Sequence, residues 1–219
     1  MNNTVAVILA GGRSSRMGGT PKCLKKLNGQ RILDITLQRL SSQVDHILIS
    51  TTAHSTLHNQ IHKLDQASDK KITCVDDAYP VFSGPLSGIS SCMGYIKNAN
   101  ATTQWLLSLA SDTPFIPLDL YERLHEAAVE HQADVVMAQC AGMNHYTCAL
   151  WNLSCYETMN KLLNNQTYYR MQDIIRGLNH TSVDFPADNK HAFFNINTPQ
   201  DLITAQNFFD VLATNATTL

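Results

Sequence analysis

Short apolar runs alternate along this chain with segments in which apolar residues recur every three or four positions. The runs are typical of buried strands and the segments of amphipathic helices. Their alternation predicts an α/β fold, with a mostly parallel sheet flanked by helices. Because a length of 219 residues fits one such domain, we expect a single domain over 1–212 and a loose carboxyl-terminal tail over 213–219.

The same pattern gives approximate element positions. Strands are expected at 4–10, 46–50, 71–77, 104–112, 134–140 and 146–152, with one more before Thr198. Helices are expected at 32–40, 57–64, from 84–88 onward, 118–131, 154–163, 171–175 and from Pro199. Thr198 is expected as the cap of the last helix, and Pro117 in the first turn of the helix over 118–131.

Composition excludes several classes of partner. The net charge is -2 and the 16 lysines and arginines form no basic run, which argues against a surface for nucleic acid or anionic membrane. No apolar segment is long enough to span a bilayer, and the opening MNNTVAVILAGG lacks the features of a signal peptide. We therefore expect a cytoplasmic protein whose six cysteines, none in a C-x-x-C pair, stay reduced.

The first strand ends in a loop that is rich in glycine and cations. LAGGRSSRMGGTPK, over 9–22, has four glycines that allow close backbone approach or positive φ, and three cationic side chains: Gly11, Gly12, Gly18, Gly19, Arg13, Arg16 and Lys22. Ligands of open α/β sheets bind at the carboxyl ends of strands, so the loop is interpreted as a triphosphate cradle. Its spacing fits neither the P-loop nor the dinucleotide fingerprint. The alternative is a turn that only connects strand and helix.

LAGG followed by RMGG and PK resembles the nucleotidyltransferases that join an NTP to a phosphorylated acceptor. Within that superfamily the chain is most similar to the bacterial molybdenum cofactor guanylyltransferases of the MobA type. Four later segments carry this resemblance: DD with GPLSG (76–88), SDTPFIP (111–117), YYRMQDII (168–175) and FFNINTPQDL (193–202). The resemblance implies a three-layer, Rossmann-like sheet of the glycosyltransferase-A type.

The resemblance also implies roles for individual residues. The catalytic residues would be Arg16, Lys22 and Asp112, with Asp112 as the Mg²⁺ ligand. The nucleotide would be bound by Leu9, Ala10, Gly11, Gly12, Lys22, Thr52, Asp77 and Asp112. Support for the acceptor or the metal would come from Asn195, Asn197, Arg170 and His145. The structural alternatives are a capped turn at Asp77, a helix cap at Asp112, an exposed helix arginine at Arg170 and a surface histidine at His145.

The chain departs from the family pattern after the second strand. Ser50, Thr51 and Thr52 stand where the family often has Asn-x-Asn, which bears on base selection. Tyr146 follows His145 where the family commonly has proline.

A separate pattern is the stripe of His54, His58 and His62, which recur every four residues. A pair of histidines at this spacing can bind zinc. No carboxylate partner is evident beside the stripe in the sequence. We interpret it as a solvated helix face.

The family resemblance implies a reaction and its substrates. The terminal phosphate of molybdopterin, carrying molybdenum, would attack the α-phosphorus of GTP and release pyrophosphate, giving the guanine dinucleotide form of the cofactor. The rivals are a CTP-dependent enzyme acting on molybdopterin or on another phosphorylated acceptor, and a catalytically silent nucleotide-binding module. Because the product is labile, protein partners in molybdenum cofactor biosynthesis are plausible.

Overall fold

A computed structural model describes residues 4–11, 21–52, 55, 57–61, 70–79, 84–99, 102–165, 169–186 and 191–216, with the backbone alone over 209–216. Its main sheet has seven strands. In chain order these are β1 (Val5–Leu9), β4 (His46–Thr51), β5 (Lys71–Asp76), β6 (Trp105–Ala110), β7 (Val135–Cys140), β8 (Met143–Asn152) and β9 (His180–Phe185), and a two-stranded hairpin is formed by β2 (Lys26–Leu27) and β3 (Gln30–Arg31).

Strand order in the main sheet is β5-β4-β1-β6-β8-β7-β9. Only β8 runs antiparallel to its neighbours, β6 and β7; the other pairs are parallel. The predicted α/β fold with a mostly parallel sheet is confirmed.

Helices cover both faces of this sheet. Their ranges are α1 (Ile32–Leu40), α2 (57–61 in the described part), α3 (Pro85–Asn98), α4 (Leu120–Glu130), α5 (Tyr156–Asn164), α6 (Met171–Arg176) and α7 (Pro199–Ala216). One apolar cluster packs α1, α2 and α4 against the sheet, and a second packs α3, α5 and α6 against the opposite face. This gives three layers. A smaller cluster joins α7, α1 and the β2–β3 hairpin.

The central position of β1 follows from its sequence. Successive side chains of a strand point to opposite faces, and here Ala6 and Ile8 enter one cluster while Val5 and Val7 enter the other. An uninterrupted apolar run is what a strand covered on both faces requires.

Some predicted elements are wrong. No ladder pairs 193–197 as a strand, although Ile196 N–H donates to Asp112 C=O at 2.9 Å. Phe193 has φ +64°, which is incompatible with extended pairing at that point. Pro117 lies before the helix, because α4 begins at Leu120.

The prediction for the last helix is confirmed at its start. Pro199 is the first residue of α7, and Thr198 Oγ1 accepts a hydrogen bond from Asp201 N–H at 3.1 Å. The backbone over 213–216 continues this helix, and the domain boundary at 212 stays a prediction.

Two further observations concern the described residues. None of their helices is both long and apolar enough to cross a membrane. All six cysteines lie among them, and none is in a disulfide.

Candidate active site

Four strand ends converge at one edge of the sheet. Gly11 follows β1, Thr52 follows β4, Asp77 follows β5 and Asp112 follows β6. These four strands are parallel, so their carboxyl ends lie at the same edge. Ligands of open α/β sheets bind at such an edge.

The central contact of this edge joins three side chains. Lys22 lies on a short 3₁₀ turn, Lys22–Leu24, and its Nζ is 3.0 Å from Asp112 Oδ2. The same Nζ donates a hydrogen bond to Asn197 Oδ1. The side chains of Lys22 and Asp112 are only 22% and 16% exposed, so water screens this ion pair less than one on the open surface.

The 193–201 segment is fixed beside this cluster by hydrogen bonds. Thr113 Oγ1 donates to Asn195 Oδ1 at 2.5 Å. Asp201 accepts from the N–H groups of Asn197 and Thr198 at 2.9 and 2.8 Å, and the Asn197 N–H is the main reason that the pKa of Asp201 is lowered. Both asparagines therefore face the Asp112–Thr113 segment, one through Thr113 and the other through Lys22.

Asp77 is fixed at the opposite side of the same edge. Ser50 Oγ donates to Asp77 Oδ1 at 2.5 Å, and Asp77 N–H donates to Thr51 C=O at 2.9 Å. Burial raises the pKa of Asp77, and the hydrogen bond from Ser50 acts in the opposite direction. The carboxylate is therefore placed by β4 as well as by its own strand.

The predicted nucleotide loop is described only at its start. Leu9 C=O accepts from Ser111 N–H at 3.3 Å and Ala10 N–H donates to Ser50 C=O at 2.8 Å. The Leu9 C=O and the Ala10 N–H are thus used within the protein, and the contribution of Leu9, Ala10 and Gly11 to nucleotide binding stays a prediction. Gly12, Arg13, Arg16, Gly18 and Gly19 lie outside the described residues.

The remaining predicted residues have contacts or positions of their own. Thr52 is exposed at the end of β4, and its C=O accepts from Ser55 N–H at 3.1 Å. His145 stacks on Phe193 at 4.7 Å between ring centroids, and burial lowers the pKa of this histidine. Arg170 is exposed at the start of α6, and no contact among the described residues joins it to Lys22 or Asp112.

Of the histidine stripe, only His58 lies within the described residues. Its Nε2 is 2.9 Å from Asp76 Oδ1 and 3.8 Å from Cys74 Sγ. The sequence showed no carboxylate beside the stripe, but the fold brings Asp76 of β5 next to His58 on α2. In the described parts of the chain, no three His, Cys, Asp or Glu side chains group as metal ligands.

The donor set around Lys22 Nζ suits a hard cation. Asp112 provides carboxylate oxygens and Asn197 an amide oxygen, and Mg²⁺ is commonly held by one or two carboxylates together with substrate phosphates and waters. The residues present therefore fit a nucleotide-bound Mg²⁺.

Two site residues were missed by sequence reasoning. Ser50 was noted only as a departure from Asn-x-Asn, and Thr113 only as a letter of the SDTPFIP motif. The available signal was position, since each is at or just beyond the carboxyl end of a parallel strand. Their partners, Asp77 and Asn195, are 27 and 82 positions away in the chain, a pairing that no local pattern contains.

A family model for the MobA-like NTP transferase domain matches residues 6–182, which include β4, β5, β6, all of β1 except Val5, and the carboxyl ends of these four strands. The chain belongs to the MobA-like NTP transferase family. This confirms the resemblance that the motifs indicated.

Relatives within the MobA-like family match most of the chain. A molybdenum cofactor guanylyltransferase of Rhodopseudomonas palustris is 31% identical and covers 92% of this chain and 90% of its own. One of Mesorhizobium japonicum is 33% identical, with coverage of 91% and 92%.

Solved structures share the fold. The molybdopterin-guanine dinucleotide biosynthesis protein A of Archaeoglobus fulgidus superposes with a TM-score of 0.71 at 19% identity, covering 94% of this chain and 99% of its own. A 4-diphosphocytidyl-2C-methyl-D-erythritol synthase of Anaerococcus prevotii gives 0.72 at 15% identity, covering 95% and 96%. The fold therefore does not separate a guanylyl from a cytidylyl enzyme.

Proposed function

We propose that this protein transfers GMP from GTP to the terminal phosphate of molybdenum-loaded molybdopterin, forming molybdopterin guanine dinucleotide and releasing pyrophosphate. The observation that carries the proposal is the cluster of Lys22, Asp112 and Asn197 at the carboxyl edge of the sheet. It occurs in a chain whose relatives, matched over nine-tenths of its length, are named molybdenum cofactor guanylyltransferases.

The transfer exchanges one phosphorus–oxygen bond for another. A terminal phosphate oxygen of the acceptor bonds to the α-phosphorus of GTP, and the bond from that phosphorus to the bridging oxygen breaks. Pyrophosphate leaves with the electron pair. Because a phosphate monoester is already anionic near neutral pH, no nucleophilic side chain and no strong general base is needed.

The residues of the site supply alignment and positive charge. The Lys22 ammonium would shift from Asp112 to the phosphates, where it would stabilise the charge that develops on the α-phosphate and on the leaving pyrophosphate. Arg16, outside the described residues, is proposed for the same task. Asp112 and Asn197 would hold Mg²⁺, which when bound supplies Lewis-acid neutralisation of phosphate charge.

The remaining assignments complete the proposal. Asp77, Thr52 and the backbone of Leu9–Gly12 would hold the nucleotide. Asn195, His145 and Arg170 would face the acceptor. We place the reaction in the cytoplasm, with delivery or removal of the labile cofactor by proteins of the same biosynthetic route.

Turnover with each nucleotide tests the proposal. Purified protein with Mg²⁺, molybdopterin and GTP should release pyrophosphate, and CTP should give little. Asp112→Asn should lose at least about a hundredfold in kcat while remaining folded. Equal release with CTP would overturn the assignment of guanine. Nucleotide binding without turnover on any acceptor would favour the silent module.

A further inference from the structure

The carboxylate of Asp77 is oriented by a residue on the neighbouring strand. Ser50, 1% exposed on β4, donates its hydroxyl proton to Asp77 Oδ1 at 2.5 Å. A serine hydroxyl has a single proton, so this bond fixes the direction of the hydroxyl. It also turns the other carboxylate oxygen, Oδ2, toward Gly11 at the end of β1.

Two glycines leave the space that this arrangement needs. A Cβ at Gly88 of α3 would overlap Ser50 Oγ and lie 2.9 Å from Leu9 Cδ2. A Cβ at Gly11 would lie 3.0 Å from Asp77 Oδ2. The Ser50–Asp77 pair is thus enclosed by α3 on one side and by the start of the glycine-rich loop on the other.

Serines of α3 fix the backbone that follows Asp77. Ala78 N–H donates to Ser91 Oγ at 2.9 Å. The Tyr79 hydroxyl donates to Asn160 Oδ1 at 2.8 Å and is 2.9 Å from Ser90 Oγ, which therefore acts as the donor to it. These contacts hold Ala78 and the Tyr79 side chain, which directly follow Asp77, against α3 and α5.

We propose that Ser50 is a positioning residue: its hydroxyl orients Asp77, the nucleotide contact of the proposed function, so that Asp77 Oδ2 faces a hydroxyl or N–H donor of the nucleoside. The inference rests on the proposed function, since it assigns the nucleotide of that same site. A carboxylate that is ionised accepts hydrogen bonds and donates none. Phosphate oxygens, which have no proton to give and repel a carboxylate, are excluded as its partners.

Two sources of the donor share this chemistry, the ribose hydroxyls and the N–H groups of the guanine edge. GTP analogues distinguish them. 2′-Deoxy-GTP and 3′-deoxy-GTP each lack one hydroxyl, ITP lacks the exocyclic amine, and N1-methyl-GTP lacks the N1–H. On wild type, the analogue that lacks the relevant donor should bind more weakly than GTP. On Asp77→Asn, the same analogue and GTP should bind about equally well.

Steady-state kinetics of Ser50→Ala give the first test. The KM for GTP should rise roughly tenfold, because a hydrogen bond to a charged group is lost, while kcat stays within about twofold of wild type. Ser108→Ala is the matched control: Ser108 is a buried serine of β6 that contacts Trp151 and backbone carbonyls away from this edge. It should change the unfolding midpoint without changing the KM for GTP.

The pH dependence of GTP binding gives a second readout that a merely structural role would not change. The hydrogen bond from Ser50 lowers the pKa of Asp77, while burial and Asp76 raise it. The titratable groups that face it are Asp76 beside it and Cys92 on α3. Removing the hydroxyl should therefore move the acid limb of GTP binding to higher pH.

The outcomes separate this inference from the proposed function. Suppose that wild type turns over GTP and that Ser50→Ala has the same KM for GTP, the same acid limb of GTP binding and the same preference among the analogues. The inference is then wrong and the proposed function stands. If wild type neither binds nor turns over GTP, the function itself fails. If Ser50→Ala does not fold, Asp77→Asn decides, because unchanged discrimination among the analogues would overturn the inference and lost discrimination would support it.

Discussion

Lys22 contacts both side chains that would hold Mg²⁺, those of Asp112 and Asn197. Its ammonium lies between a carboxylate and an amide oxygen, which are ligands that Mg²⁺ also uses. A cation already bound there opposes the entry of a second one. Nucleotide phosphates would relieve this competition by drawing the ammonium away and supplying further oxygens.

Lys22→Met should therefore have two opposite effects. In this test Mn²⁺ replaces Mg²⁺ and is followed by electron paramagnetic resonance. In the absence of nucleotide, it should bind Lys22→Met more tightly than it binds wild type. Turnover should fall about 10²- to 10³-fold, because the cation that stabilises the transferring phosphate is gone. Lys26→Met, at an exposed position of β2, serves as the control for loss of one positive charge. Unchanged Mn²⁺ affinity in Lys22→Met would contradict the competition.

His145 gives the fold a dependence on pH. Burial lowers its pKa below the ordinary value of 6.5, so the folded state takes up a proton less readily than the unfolded chain. This contribution to stability is fully present above pH 6.5 and is lost as the pH falls toward the folded pKa. His145→Phe keeps a ring against Phe193 and should flatten the fall in unfolding free energy between pH 7.5 and about 5. Urea titrations at each pH measure the unfolding free energy, with the exposed His131→Gln as control. If the free energy of His145→Phe falls with pH as steeply as that of wild type, His145 is not the source of the pH dependence.

At the scale of elements, α3 is shaped by what it covers. A glycine in the interior of a helix ordinarily costs about 0.5–1 kcal/mol relative to alanine. Gly88→Ala should instead destabilise the protein by roughly 1–3 kcal/mol, because the new methyl group would overlap Ser50 Oγ. It should also weaken GTP binding by displacing Ser50 from Asp77.

Gly94→Ala, in the same helix, is the matched comparison. Its methyl group would meet the hydroxyl end of Tyr156 at 3.0 Å, and a side-chain tip can move aside. We expect a change in unfolding free energy of less than about 1 kcal/mol and unchanged GTP binding. Equal destabilisation by both substitutions, measured by urea unfolding, would contradict a specific role for Gly88.

The elements also show what the sequence could and could not predict. The central strands were found because they are apolar runs buried on both faces, as in Val5–Leu9. The edge strand β9 was missed since its side chains are mostly exposed or half-buried, which weakens the apolar signal. The β2–β3 hairpin was missed although Asn28-Gly29, both at positive φ, is a recognised hairpin turn.

The residues of the candidate site likewise divide into those that the sequence could predict and those that it could not. Lys22, Asp77 and Asp112 were predicted from motifs that end strands. The 193–197 segment was predicted as a strand, and it forms no ladder, yet Asn195 and Asn197 on either side of the buried Ile196 both reach the predicted site, through Thr113 and Lys22. Ser50 and Thr113 were missed because their roles depend on partners that only the tertiary fold brings near: Asp77 through the pairing of β4 with β5, and Asn195 through the loop over 193–197.

At the scale of the whole molecule, the cysteines are divided between the two apolar clusters. Cys23, Cys140 and Cys148 lie in the cluster with α1, α2 and α4, and Cys92 and Cys155 lie in the one with α3, α5 and α6. These five residues are at most 7% exposed. Cys74 on β5 is only partly buried, yet burial still raises its pKa to about 11.

Reaction with a thiol reagent should therefore report on both layers at once. At pH 8 native protein should modify slowly at Cys74 alone, because little thiolate is present at a pKa of about 11. In guanidinium all six cysteines should react, and Cys74→Ser should abolish the native reaction.

Since one sheet forms the wall of both clusters, the remaining thiols should become reactive together across the unfolding transition. Mass spectrometry of the modified peptides measures this, and exposure of Cys92 and Cys155 at a lower denaturant concentration than Cys23 and Cys148 would show that the layers unfold separately.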